Sequence, residues 1–401
     1  MNVTSVTHTH RHHRGFWIIA AAFLVSTAFS TVPTPLYTLY QAAQGFPTWI
    51  ITVIFGAYAV GVMAALYFAG HLSDSYGRRR IILLSLAPDV LSDLVFWGWP
   101  AVPGLLVARF LNGLGIGLLT ATATAHLVEL RAVSHPHKNS SVPSLVATVV
   151  NMGGLSLGPL VSGALAQFVV LPLVVPYLVF LVLLVVSFVL VDRVPETVVS
   201  SGTRRAYRPQ KLAVVATERG TFYAAAAGAF AAFAILGMFT SLSPVFLAHD
   251  LHETSKFVAG LVTSAVFGAG TLAQVALAGL KSRTQLVLGL GFLVAGLGAA
   301  TAGVFLVSAP AFLGGGVLAG IGIGLVFRTA IHMAAQVAPP SIRGGVMASI
   351  FLIAYAGLTV PVIGLGVALQ FVSGQVALSV FATLIAVVAL WSGVKMARKL
   401  K

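Results

Sequence analysis

Twelve apolar runs, each about the 20 residues a helix needs to cross a bilayer, fill most of this 401-residue chain. They lie at 16–40, 48–72, 80–98, 102–127, 143–167, 171–191, 221–247, 256–280, 285–307, 310–335, 345–370 and 374–395. Only 8% of residues are charged and the mean hydropathy is +0.99. A water-soluble domain carries charge on about a quarter of its residues, so a soluble fold is excluded. Backbone amides in hydrocarbon must be satisfied within the segment, which makes the runs helices. The sequence therefore predicts an all-α polytopic membrane protein with twelve transmembrane helices.

The basic residues give the topology. Arg11 and Arg14 precede the first span. Arg78, Arg79 and Arg80 follow the second, Arg131 and Lys138 the fourth, and Arg193 to Arg219 the sixth. Lys281, Arg283, Arg343, Lys395, Arg398, Lys399 and Lys401 fall on the same side. Lys256 alone is opposite, and Arg109 and Arg328 lie within spans. Positive charge marks the cytoplasmic side, so both termini are expected there. This distribution accounts for the net charge of +14 without nucleic acid as a partner. The chain has no cysteine, which removes disulfides, thiolate metal sites and cysteine nucleophiles. The histidines of the tail (His8, His10, His12, His13) are read as solvated, with no metal site expected.

A polar stretch at 192–220 splits the spans into two sets of six. The expected division is an N-tail at 1–15, a bundle at 16–191, a linker at 192–220, a second bundle at 221–395 and a C-tail at 396–401. The halves resemble each other. The run from Pro103 aligns with that from Pro310 at constant offset, pairing Gly113, Gly115 and Gly117 with Gly320, Gly322 and Gly324. Pro35 near the end of the first span likewise matches Pro244 near the end of the seventh. Parallel repeats of this kind build rocking transporters.

Three local patterns sharpen the reading. Gly70, Leu72, Asp74, Gly77, Arg78 and Arg79 form a turn with a carboxylate beside a cationic cluster, where Asp74 can pair with Arg78 and cap exposed helix amides. The fourth span carries Arg109, Asn112, Gly113 and Gly115, and the fifth carries Gly154, Gly158, Pro159, Ser162 and Gly163. Together these resemble the major facilitator superfamily over essentially the whole chain, and its twelve-helix drug:proton antiporter branch in the fifth span. Ser75, Asn112 and Ser162 depart from that family's pattern. The resemblance implies two pseudo-symmetric six-helix bundles in a bacterial inner membrane. It also implies export of small, partly hydrophobic compounds in exchange for protons by alternating access. It assigns Gly70, Asp74, Gly77, Arg78 and Arg79 to a gating latch, and Gly154, Gly158, Pro159 and Gly163 to the antiporter helix. Glu129, at the cytoplasmic end of the fourth span, is expected either to join Asp74 and Arg78 in the latch or to pair with Arg131.

Ionisable groups inside a span are expensive and mark function by default. Asp89 and Asp93 sit one turn apart on the third span. The hairpin turn near Pro100 puts Arg109 at the depth of Asp93, so Asp93 and Arg109 are expected to form a proton-switched ion pair, with Asp89 in a lesser role. Arg328 and His332 share a face of the tenth span. The resemblance implies a cavity lined by the first, fourth, seventh and tenth spans, so with Tyr37, Asn112, Phe239 and Phe327 they are the expected cavity residues, Arg328 alternatively bonding helix-end carbonyls; Phe29 and Phe233 are further wall candidates. Small-molecule substrate, protons and the bilayer are the expected partners, the chain acting as a monomer without a cofactor. No phosphate-cradling G-x-x-x-x-G-K-[ST] loop and no H-E-x-x-H are present, which argues against an ATP-driven pump or a zinc hydrolase. Proton-coupled metabolite uptake, facilitated diffusion and a non-transporting membrane sensor remain the rival readings.

Overall fold

The computed structural model describes residues 3–69, 76–135, 141–198 and 210–400, and among these every regular element is helical. Twelve helices are long and apolar enough to span: His10–Gln44, Thr48–Phe68, Arg78–Gly98, Val102–Ser134, Ser141–Phe168, Val175–Asp192, Arg219–Ser241, Lys256–Ala276, Ser282–Phe305, Ala309–Val337, Arg343–Ala368 and Gly374–Ala397. They are numbered as spans in chain order. Large apolar side chains on their outer faces stay exposed, Leu272 by 71% and Val360 by 65%, as lipid contact requires.

Two differences from expectation have local causes. The first helix starts at Val3 rather than near Gly15, so the N-tail from residue 3 continues the helix. At its far end Pro33 and Pro35 cannot donate backbone hydrogen bonds. The helix stops at Thr31, turns through the short 3-10 element Thr34–Leu36 and resumes at Tyr37–Gln44. Pro244 does the same after the seventh span, which ends at Ser241 before the short helix Ser243–His249. The paired prolines thus mark equivalent breaks.

Helix neighbours repeat between the halves. In the first half the second span packs on the fourth, the third on the fourth and sixth, and the first on the fourth, fifth and sixth. Adding six to each number reproduces the packing of the second half. The matched glycines do matched work. Gly113 and Gly117 press against the second span and Gly115 against the third; Gly320 and Gly324 press against the eighth and Gly322 against the ninth. The bundles meet along two seams, the fifth span against the eighth and the second against the eleventh.

Both seams are shut at the end opposite the basic loops. A side chain at Gly260 would collide with the carbonyl oxygen of Pro159, and one at Gly163 would lie 2.5 Å from the carbonyl oxygen of Lys256. Ser156 Oγ donates to the Ser264 carbonyl at 2.8 Å. The Lys256 backbone N–H donates to Gln167 Oε1 at 2.9 Å, and its Nζ to Thr38 Oγ1 at 3.3 Å. On the other seam, a side chain at Gly366 would lie 2.7 Å from Thr52.

Candidate functional site

A cavity of about 120 Å³ lies between the bundles, on the basic-loop side of the closed seams. The first, second and fourth spans give it Ser30, Phe55, Tyr58 and Arg109; the fifth gives Met152 and Leu155. The second half gives Phe233, Phe327, Phe351, Tyr355 and, toward the basic end of the eighth span, Gln274. Among the described residues, Arg109 is the one charged side chain in this lining. Its guanidinium lies 4.6 Å from the Tyr58 ring centre and 5.4 Å from that of Phe55, within reach of a cation–π contact.

The expected ion pair between Asp93 and Arg109 does not form. Arg109 Nη1 donates instead to the Ser30 carbonyl at 2.7 Å and to Asn112 Oδ1 at 3.4 Å. Asn112 Nδ2 then donates to Asp89 Oδ1 at 2.9 Å, and Ser26 Oγ donates to Asp89 Oδ2. The carboxylate tied to the arginine is therefore Asp89, through an asparagine. The reason is rotational. Ser92 Oγ reaches the Ala108 carbonyl at 2.7 Å, so the hairpin register was read correctly. Yet position 109 is turned about 100° from position 108 on a helix of 3.6 residues per turn. Arg109 faces the first and second spans, away from Asp93.

Asp93 has another setting. It is 1% exposed, and Tyr40 and Tyr177 are its polar neighbours, with Tyr37 beside them and beside Arg109. Among the described residues, Asp93 Oδ2 and the hydroxyls of Tyr37, Tyr40 and Tyr177 find no hydrogen-bond partner of good geometry. Phe96 stacks on Tyr177 at 5.0 Å and closes the group on one side.

Of the residues expected in the cavity, Phe327 and also Phe233 line it. Tyr37 is fully buried behind it, and Asn112 is the link to Asp89. Phe29 packs on Phe96 and Phe180, and Phe239 packs on Phe312. Arg328 does not line it, since its guanidinium donates to the Gln274 carbonyl. His332 pairs with Gln336 at 2.9 Å. The rings of Phe55, Tyr58, Phe351 and Tyr355 were not singled out, because an apolar run does not reveal which of its aromatics face inward.

At the basic face, Gly70 and Asp74 lie outside the described residues. Arg78 and Glu129 form an ion pair at 3.1 Å. A further carboxylate, Glu196, accepts the backbone N–H groups of Arg78 at 2.9 Å and Arg79 at 3.1 Å. It thereby caps the third span. Arg79 Nη1 donates to the Asp192 carbonyl at 2.9 Å, and His126 Nε2 lies 3.2 Å from the Pro195 carbonyl. Gly77 has φ of +97°, and a side chain there would run into the Glu196 carboxylate. The sequence signal was the lone acid in Val194-Pro195-Glu196-Thr197. Replacing Glu196 with alanine is expected to cost on the order of 1 kcal/mol, the usual value of a helix N-cap. A thermal midpoint lowered by about 2 °C in purified protein checks this, and an unchanged midpoint counts against the cap.

Gly154, Gly158, Pro159 and Gly163 lie on one continuous helix. Gly154 and Gly158 face the first span, Gly163 the eighth. The same helix spells Gly154-Leu-Ser156-Leu-Gly158, the letters of a hydrolase nucleophile turn. That turn needs a strand leading into a helix, whereas Ser156 is mid-helix and bonded to Ser264.

This two-bundle arrangement around a central cavity defines a class of membrane transporters. The profile of the Major Facilitator Superfamily matches residues 18–361, and the chain belongs to that family. It is 29% identical over 243 residues to the multidrug transporter MdfA of Yersinia pestis (strain Angola), a match covering 59% of this chain and 57% of that protein. It is also 28% identical over 160 residues to a multi-drug resistance efflux pump PmrA homolog of Lactococcus lactis, 38% of each chain. The fold is shared with a POT family transporter solved with 5-aminolevulinic acid (TM-score 0.72, 13% identity, 94% of each chain). It is shared too with the human organic anion transporter MFSD10 (TM-score 0.67, 15% identity, 96% of this chain and 99% of that one).

Proposed function

We propose that this transporter is a proton-coupled antiporter that exports small, partly hydrophobic compounds by alternating access. The observation that carries the reading is the chain from Asp89 through Asn112 to Arg109, which joins a buried carboxylate to the cavity wall. A change in the charge of Asp89 alters what Asn112 presents to Arg109, and so reaches the space a substrate occupies. Asp93, in its tyrosine surround, is the second candidate proton carrier. Gly163 and Pro159 of the fifth span form the seam that opens on the far side, while Gly154 and Gly158 hold that span to the first, and Arg78 with Glu129, Glu196 and Asp74 steadies the basic end. The efflux relatives named above support the outward direction. The one-sided basic loops support an inner-membrane placement with both termini in the cytoplasm, the two bundles acting within one monomer.

The test is proton movement in energised inside-out vesicles carrying the protein, over a panel of anionic, neutral and cationic aromatic compounds. Substrate-dependent collapse of the pH gradient is expected, and absent from vesicles without the protein. Compounds that bind yet move no protons would overturn the exchange mechanism and favour uniport.

A further inference from the structure

Arg109 is a buried cation, 2% exposed to solvent, in the wall of the cavity. An uncompensated cation at mid-membrane is costly, and such a charge normally has a carboxylate beside it. Among the described residues none lies within ion-pair distance of it. The chain has nine acidic residues. Asp74, Glu129, Asp192, Glu196, Glu218, Asp250 and Glu253 belong to loops and span ends, and Asp93 faces the tyrosines. Asp89 is held one residue away, already accepting from Ser26 and Asn112. One of the arginine's donors, Nε, has no hydrogen-bond partner among the described residues. The arginine sits in a lining that is mainly apolar and aromatic, whose other polar members, Ser30, Thr31, Thr240 and Gln274 among them, are uncharged.

We propose that the cavity selects amphipathic organic anions, an aromatic or aliphatic body bearing a carboxylate or similar head, with Arg109 receiving the head. The rings of Phe233, Phe327 and Tyr355 would hold the body. A planar fork of N–H donors matches a carboxylate in geometry and charge. A cationic compound meets the opposite situation. Aromatic faces attract it, but two of those faces already lie against the guanidinium and no carboxylate offsets the repulsion. The inference rests on the cavity being the substrate site, and is independent of how transport is driven.

The test uses three compounds of one shape, phenylacetate, phenylacetamide and phenethylammonium, titrated onto the full-length protein in nanodiscs with no gradient present. Failure of proton exchange therefore leaves this measurement standing. Phenylacetate is expected to bind at least tenfold more tightly than the amide, and the ammonium compound more weakly than either. In Arg109→Gln the anion-to-amide ratio should fall to near one, and Arg109→Lys should keep part of it. Tighter binding of the ammonium compound, binding of none of the three, or a ratio that survives in Arg109→Gln overturns the proposal. If Arg109→Gln does not fold, the wild-type order and the Arg109→Lys ratio decide the matter.

Discussion

Gly260→Leu is expected to cut the transport rate at least tenfold by holding the far-side seam apart. The eighth span approaches the fifth so closely at Gly260 that a β-carbon would strike the backbone of Pro159. Backbone cannot step aside as a side-chain tip can. Overpacking a tight contact costs about 1–3 kcal/mol, which is roughly a five- to 150-fold shift in the balance between open and closed seams. Because the native chain has no cysteine, one introduced at Leu155 in the cavity reports access from the far side without background. Labelling by a membrane-impermeant maleimide should rise as the rate falls. Gly260→Ala should give a smaller change of the same sign. Normal labelling and transport in the leucine variant would mean that this seam does not gate.

Asp89→Asn is the second large effect. Proton-linked flux is expected to fall at least fiftyfold, with substrate affinity changed only a few-fold. The native carboxylate accepts from both Ser26 and Asn112. An asparagine has one acceptor oxygen, so Ser26 must turn its hydroxyl to accept from the new amide and gives up its own acceptor, at a cost of about 1 kcal/mol. More to the point, it cannot take up or release a proton. Proton release on substrate addition, followed with a pH dye in lightly buffered detergent solution, separates loss of coupling from loss of binding. Asp93→Asn is the paired measurement. Coupling that survives in Asp89→Asn but fails in Asp93→Asn assigns the proton to the tyrosine-enclosed site. Coupling retained in both removes the third span from the mechanism.

Much of this architecture was legible in the chain because membrane folds write their constraints in one dimension. Span length, the side taken by arginine and lysine, and the glycines repeated from 113 to 320 all survive without knowing how helices face one another. The cavity depends on facing. Depth alone suggested that Asp93 meets Arg109, but one residue of helical rotation sends the arginine to Ser30 and leaves Asn112 to meet Asp89. Arg328 and His332 were expected in the cavity because the tenth span lines it in the family resembled, yet the structure gives Arg328 its alternative, a carbonyl near the end of the eighth span, and ties His332 to Gln336. Glu196 escaped notice for a different reason. Its partners are backbone amides 117 and 118 residues away, which no local pattern announces.

The seam between the fifth and eighth spans is built largely from main chain, and this bears on how readily it can cycle. Side chains that interdigitate on closure lose rotamer freedom, up to 2 kcal/mol each for the long ones. Glycine and proline lose none. Shutting Gly163 and Pro159 against Gly260 therefore freezes few torsions, and reopening releases few. The balance between the two states then rests on a handful of hydrogen bonds, those of Ser156 with Ser264 and of Lys256 with Gln167 and Thr38. At about 1 kcal/mol apiece, such contacts leave the two states within reach of each other. In the alternating-access cycle proposed above, a seam so nearly balanced can be tipped by a single bound molecule.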